Sequence, residues 1–90
     1  MKRIKEEFLD KLGKVIKLKG KTVLEIGCGA GTRSVQIGKR TKTLTAIEPN
    51  SNLIKEAIKN NSSKNIEYQV GNAIKLKFKP KLFDITIFTL

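Results

Sequence analysis

The sequence predicts an α/β fold built on a mainly parallel sheet. Short apolar and partly β-branched runs, typical of buried strands, alternate along the chain with segments of helical periodicity. Glycine, proline or polar residues separate these segments. Alternation of this kind gives βαβ units with right-handed crossovers, and such sheets bind ligands at the carboxyl ends of their strands.

The first predicted element is an amphipathic helix over residues 2–19. Apolar residues recur there at three- and four-residue spacing, with lysines and acids between them, and Gly20 ends the helix. The apolar positions are Ile4, Phe8, Leu12, Val15 and Ile16.

A strand and a glycine-rich turn follow. Residues 22–26 read as a buried strand that runs directly into Gly27-Cys28-Gly29-Ala30-Gly31. Thr32 is a suitable N-cap, and we predict a helix from there to about Lys39.

The second half of the chain repeats the alternation. Residues 43–48 form the second predicted strand, which Pro49 ends, and residues 51–60 form the next helix. The third strand covers residues 66–70, and the fourth begins at Phe83 and alternates as far as Phe88.

Size and composition limit the function classes. Ninety residues allow one domain, taken as 1–90, and no apolar run reaches the length of a membrane span. The N-terminus does not have the pattern of a signal peptide, so we predict a cytoplasmic protein. A single cysteine and no histidine give neither an internal disulfide nor a zinc ligand set, so no metal is expected.

The charge balance has two interpretations. A net charge of +11, from 19 Lys and Arg against 8 Asp and Glu, could mark a nucleic-acid partner. The basic residues are mostly lysines spread along the chain, however, and aromatic residues make up only 6% of it. The charge pattern therefore favours a solvated basic surface over a nucleic-acid partner.

The glycine turn is the most informative segment. Glycines between a strand and a helix allow close approach of a ligand, and the N–H groups at the helix start attract an anionic group. The spacing is G-x-G-x-G, whereas a dinucleotide fingerprint requires G-x-G-x-x-G, and no Gly-Lys-Ser/Thr follows. NAD and ATP are therefore disfavoured.

Two acids flank this turn. Glu25 lies in the first strand, where an apolar residue would be usual, and it suggests a cationic ligand group. Glu48 ends the second strand, where a carboxylate can accept hydrogen bonds from both hydroxyls of a ribose. A carboxylate, an ammonium and a ribose together describe S-adenosylmethionine (SAM) better than a dinucleotide.

The chain after its first helix resembles the N-terminal half of the class I SAM-dependent methyltransferases. Their first motif, an acid followed by G-x-G-x-G, is similar to residues 25–31. Their second strand ends in an acid, with a small polar residue two positions later and an apolar residue five positions later, which is similar to Glu48, Asn50 and Leu53. The resemblance extends to Gly71-Asn72-Ala73 after the third strand and to the Phe-Asp pair that opens the fourth. It implies a Rossmann-like three-layer α/β/α fold with strand order 3-2-1-4.

The resemblance also implies a cofactor site for SAM and its product S-adenosylhomocysteine (SAH). Glu48 would hold the ribose, Pro49 and Leu53 would line the adenine pocket, and Asn72 would contact the adenine edge in place of the usual acid. The predicted cofactor-binding residues are Glu25, Gly27, Cys28, Gly29, Gly31, Glu48, Pro49, Asn50, Leu53, Asn72 and Ala73.

Several of these residues have plain structural interpretations. Glu25 could accept hydrogen bonds from a neighbouring loop, Glu48 could be a solvated strand end, and Asn72 could be an ordinary turn residue. Cys28 is expected to be a small turn residue without nucleophilic function. Asp84 is expected to serve the entry of the fourth strand rather than a ligand.

The family's acceptor site would be formed by later elements, so the sequence names no catalytic residue. We expect an incomplete domain that transfers a methyl group to a small molecule; an RNA methyltransferase is less favoured. The alternative is a non-catalytic SAM- or SAH-binding module, or one subunit of a split enzyme, and the chain could be inactive alone. The apolar fourth strand would leave an open edge for a homodimer or a partner subunit.

Overall fold

The computed structural model describes residues 17–72 and 82–89. The predicted N-terminal helix falls almost entirely outside these residues, and its last three positions, 17–19, are not helical. Ala73 also lies outside the described residues.

Four strands and two helices make up the described part. The strands are β1 (Thr22–Ile26), β2 (Thr43–Glu48), β3 (Ile66–Val70) and β4 (Ile85–Phe88). The helices are α1 (Thr32–Gly38) and α2 (Ser51–Asn60). Among the described residues, no helix is long and apolar enough to cross a membrane.

The strands form one parallel sheet in the order β3-β2-β1-β4. This confirms the predicted Rossmann-like order. Ile26, the last residue of β1, pairs with Ile47 on one side and with Phe88 on the other, so the carboxyl ends of these strands lie level. The segments that follow them therefore emerge at one edge of the sheet.

Both helices cover one face of the sheet. Right-handed crossovers from β1 to β2 and from β2 to β3 place α1 and α2 on the same side. Ile37 of α1 and Ile54 of α2 share one buried cluster with Val23, Leu44 and Ala46. Leu24, Ile26, Ile47 and Phe83 form a separate cluster, because successive side chains of a strand point to opposite faces. Among the described residues, no helix covers the face of the sheet that carries this second cluster.

The start of α1 differs from the prediction. Thr32 is the first helical residue rather than the cap, and the N-cap is Gly31, with φ 84° and no side-chain hydrogen bond. The left-handed backbone of this glycine turns the chain into the helix, so no capping side chain is required.

Gly31 is also enclosed by α2 and β3. A Cβ atom at this position would lie 2.7 Å from the Tyr68 hydroxyl oxygen and 3.0 Å from the Ala57 Cβ atom. At Gly29, which also has a positive φ, an added Cβ would meet no atom within 4 Å. Two glycines of one turn thus serve different purposes: Gly31 allows close packing, and Gly29 borders open space.

The fourth strand begins two residues later than predicted because Asp84 binds the start of β1. Its Oδ2 atom accepts hydrogen bonds from the Thr22 backbone N–H (2.9 Å) and the Thr22 hydroxyl (3.0 Å), and its own N–H donates to the Thr22 carbonyl (2.8 Å). The backbone hydrogen bond from Thr22 is the main cause that lowers the pKa of Asp84. Asp84 thus joins β4 to β1 at the amino edge, as expected for a residue at a strand entry.

We expect Gly31→Ala to destabilise the fold more than Gly29→Ala. Both changes carry a left-handed backbone penalty of about 1–2 kcal/mol, and overpacking at residue 31 adds about 1–3 kcal/mol. Urea unfolding of both variants measures the difference in unfolding free energy. Combining Gly31→Ala with Tyr68→Phe, which removes the nearest atom, should cost less than the sum of the single changes. Equal losses in the two glycine variants would contradict this account.

Asp84 should make stability fall at acid pH. Because its folded-state pKa lies below the ordinary value of 3.8, its stabilisation is fully present above that value and is lost as the pH falls through the folded-state pKa. Denaturant unfolding from neutral to strongly acid pH should show the advantage of the native chain over Asp84→Asn shrinking on acidification. Glu56→Gln on α2 is the control variant. A difference between native chain and Asp84→Asn that does not change with pH would disprove the contribution.

Candidate functional site

The carboxyl edge of the sheet collects three segments that the sequence singled out, together with the segment that follows β4. The glycine turn follows β1, Glu48 ends β2, Gly71 and Asn72 follow β3, and Thr89 follows β4. Backbone hydrogen bonds join these segments: the Gly71 N–H donates to the Glu48 carbonyl (3.0 Å), and the Thr89 N–H donates to the Ile26 carbonyl (3.0 Å). Residues far apart in sequence thus meet at one edge of the sheet.

Glu48 is held at this edge by two backbone donors. Its Oε1 atom accepts from the Gly29 N–H and its Oε2 atom from the Asn50 N–H, each at 3.0 Å. The side chain is half-buried, and each carboxylate oxygen retains acceptor capacity beyond its one hydrogen bond. The carboxylate is therefore oriented and can still accept two hydroxyl donors.

Asn50 orients Glu48 and also begins α2. Its side-chain oxygen accepts from the N–H groups of Asn52 (2.9 Å) and Leu53 (3.2 Å), which makes it the N-cap. Pro49 is exposed beside it, and Leu53 is half-buried on the first turn of α2. The sequence motif of Glu48, Asn50 and Leu53 is therefore also a strand-to-helix junction.

The glycine turn is attached to β2 by its backbone. The N–H groups of Gly27 and Cys28 both donate to the Ile47 carbonyl, at 2.9 and 3.0 Å. The backbone N–H of Cys28 is thus engaged within the sheet. Gly29 follows with φ 57°, and its N–H points to Glu48.

Glu25 lies beneath the turn and is 0% exposed. Its Oε1 atom accepts from the Ser34 hydroxyl (2.5 Å) and its Oε2 atom from the Thr89 hydroxyl (2.6 Å). Burial raises the pKa of Glu25, while these two hydrogen bonds and the charge of Arg33 oppose the increase. The carboxyl group therefore joins β1, α1 and the end of β4.

The environment of the Cys28 thiol disfavours its ionisation. The side chain is buried, and burial, followed by the charges of Glu25 and Glu48, raises the pKa of the thiol to about 12. The thiolate, which is the reactive form, is therefore almost absent at neutral pH. This agrees with the expectation of a turn residue without nucleophilic function.

Sequence reasoning missed the residues that support the turn from behind. The Asn61 side-chain amide donates to the Ala30 carbonyl (2.8 Å), and the Tyr68 hydroxyl donates to the Asn61 carbonyl (2.7 Å). Ser34 and Thr89, the partners of Glu25, were also missed. A serine on the inner side of a helix is the one local signal, because the other contacts depend on tertiary placement.

The remaining predicted residue in the described part is Asn72. It is half-buried after Gly71, next to the end of β2, and it has interactions of its own. The structure therefore brings Glu48, Gly29, Leu53 and Asn72 to one edge, with Glu25 beneath.

The methyltransferase domain family matches residues 23–90 of this chain. A protein from Thermococcus sibiricus, named "Probable ribosomal RNA small subunit methyltransferase A", is 39% identical to this chain over 57 residues. These residues make up 63% of this chain and 21% of the relative. The chain thus spans about a fifth of that curated relative.

Two solved structures add to this comparison. A dimethyladenosine transferase from Plasmodium falciparum superimposes with a TM-score of 0.77 and 32% identity, covering 93% of this chain and 31% of that one. A phosphoethanolamine N-methyltransferase from Haemonchus contortus, solved with phosphoethanolamine and SAH, gives a TM-score of 0.79 and 25% identity over 88% of this chain and 17% of that one.

These relatives correct one prediction from the sequence. A small-molecule acceptor was favoured over nucleic acid, and this is wrong, because the relatives with the higher identity carry names of RNA or adenosine methylation. The even spread of lysines along the sequence favours a solvated surface only if position in the sequence reflects position in space. Folding can bring distant lysines together, so this criterion is insufficient. The family match and the fold together show that this chain belongs to the Rossmann-like, SAM-dependent methyltransferases.

Proposed function

We propose that this chain is the cofactor-binding part of a SAM-dependent methyltransferase that acts on adenine bases in RNA. The observation that carries the cofactor assignment is the Glu48 carboxylate, which Gly29 and Asn50 hold at the carboxyl edge. The similarity to methyltransferases named for ribosomal RNA and dimethyladenosine supports the acceptor assignment.

The edge fits the parts of SAM. Glu48 would accept hydrogen bonds from the ribose hydroxyls, and Leu53 with Pro49 would border the adenine. Gly29 leaves space for the ligand, because no atom lies within 4 Å of where its Cβ would be. Asn72, followed in sequence by Ala73, would contact the adenine edge.

The glycine turn would receive the amino-acid end of the cofactor. Gly27, Cys28 and Gly29 give a backbone without bulky side chains there, and Gly31 sets the turn's shape through its packing against Tyr68. Glu25 is enclosed, so we assign it the task of holding this turn through Ser34 and Thr89 rather than a direct contact with the ammonium.

When bound, SAM supplies a methyl group activated by a positively charged sulfur. The contribution of this chain is orientation: a ribose fixed by Glu48 and a backbone turn fixed to β2 would set where that methyl group points. Two methyl groups on one adenosine, as in the name of the Plasmodium relative, fit an exocyclic amino group with two replaceable hydrogens. The described residues do not include one that we assign as catalytic.

Glu48 should determine cofactor affinity. We expect Glu48→Ala to weaken SAH binding about 100-fold or more, because each of the two ribose hydrogen bonds to this charged acceptor contributes about 1.5–3 kcal/mol. Glu48→Gln should also bind weakly, since its NH₂ group would face the N–H of Gly29 or Asn50. Isothermal titration calorimetry with SAH measures both affinities.

The matched control is Glu67→Gln, which removes an exposed carboxylate from β3. It should bind SAH like the native chain, and NAD and ATP should bind to neither protein. Native-like SAH affinity in a folded Glu48→Ala chain would refute the assignment of Glu48.

The acceptor assignment is tested by methyl transfer from labelled SAM. Label should enter an RNA that contains adenines and should be absent from an otherwise similar RNA in which adenines are replaced. Label in the adenine-free RNA would contradict the adenine acceptor while leaving the result of the SAH titration valid.

A further inference from the structure

Basic side chains gather at the amino edge of the sheet, opposite the proposed cofactor site. They precede β1, lie between α1 and β2, and precede β3, and all of them are exposed. We call this group the amino-edge patch, and its members are Lys17, Lys19, Lys21, Lys39, Arg40, Lys42 and Lys64.

Backbone and amide hydrogen bonds fix the three segments of the patch against one another. The Lys42 N–H donates to the Lys21 carbonyl (2.9 Å), which joins the first two segments. The Asn65 side-chain amide donates to the Gly38 carbonyl (2.7 Å), and the Asn65 carbonyl accepts from the Leu44 N–H (2.8 Å). Lysines that are scattered in sequence are therefore neighbours in the fold.

Little negative charge balances this edge. Asp84 lies there, but its carboxylate accepts hydrogen bonds from Thr22. These hydrogen bonds are the main cause that lowers the pKa of Asp84, and the charges of Lys21 and Lys42 lower it further. In the described part of the chain, no ion pair joins a lysine of the patch to a carboxylate. Glu25 and Glu48, by contrast, lie toward the opposite edge.

Neutral polar groups accompany the charges. An open depression at the amino ends of β2 and β3 is bordered by Thr43, Lys64, Asn65 and Glu67, among others. The Thr43 hydroxyl and the Lys64 ammonium are groups that contact phosphates and sugars in nucleic-acid complexes. The Asn65 amide is already engaged by the Gly38 carbonyl, and the Glu67 carboxylate would repel a phosphate.

We propose that the amino-edge patch is a second docking surface for RNA, which binds phosphates of the substrate RNA away from the reacting base. This inference rests on the proposed function, because an RNA acceptor is what would carry the phosphates. The two edges are separated by the length of the strands, about 17 Å for five residues. An RNA long enough to reach both edges should therefore bind more tightly than a short oligonucleotide.

The test compares two double variants with the same loss of charge. Lys42→Gln/Lys64→Gln changes the amino-edge patch, and Lys55→Gln/Lys59→Gln changes exposed lysines on α2. RNA binding by the 90-residue chain is measured against salt concentration with a long structured RNA. We expect the patch variant to lower the slope of log affinity against log salt by about 2, one unit per lost phosphate contact, and the α2 variant to leave the slope unchanged.

Further measurements separate an RNA contact at the patch from misfolding of the variants, from failure of the RNA acceptor assignment and from binding to a membrane surface. SAH binding and the unfolding midpoint should be the same in both variants, which excludes misfolding. If the native chain binds RNA but the two variants show equal slopes of log affinity against log salt, the proposed RNA contact of the amino-edge patch is wrong. A native chain that binds no RNA would overturn the RNA acceptor as well, and loss of binding to anionic lipid vesicles instead of RNA would assign the patch to a membrane surface.

Discussion

The attachment of the glycine turn to the end of β2 is the contact on which the rest of the site depends. The N–H groups of Gly27, Cys28 and Gly29 bind, in succession, the Ile47 carbonyl twice and the Glu48 carboxylate once. Three consecutive donors can converge in this way only if the backbone turns sharply, and the positive φ values of Gly27 and Gly29 allow that. The turn and the acid that follow two different strands therefore form one rigid unit.

Support for this unit comes from buried polar groups behind it. Glu25 accepts hydroxyl hydrogen bonds from Ser34 and Thr89, and Asn61 holds the Ala30 carbonyl. A buried carboxyl group without partners would be costly, whereas one with a hydrogen bond on each oxygen can hold α1 and the end of β4 in place. The hydroxyl groups of Ser34 and Thr89 thus give partners to an acid in the middle of a buried strand.

Much of the fold could be predicted from the sequence because each strand carries a local pattern. The bounds of the first three strands follow from apolar runs that end at glycine, proline or polar residues. The fourth strand was placed two residues early, since the contact that occupies Asp84 comes from Thr22, 62 residues away. The partners of Glu25 were missed for the same reason: Thr89 lies 64 residues from it, and no local pattern specifies that distance.

Strand direction divides the chain's charges between two edges. In a parallel sheet, every segment that enters a strand lies at one edge and every segment that leaves a strand lies at the other. In this chain the entering segments carry Lys21, Lys42 and Lys64, and the leaving segments carry the glycines and Glu48. Spacing along the sequence hides this division, because segments that enter a strand and segments that leave one alternate along the chain. Only the parallel topology reveals that an even distribution of lysines in sequence becomes an uneven distribution of charge in space.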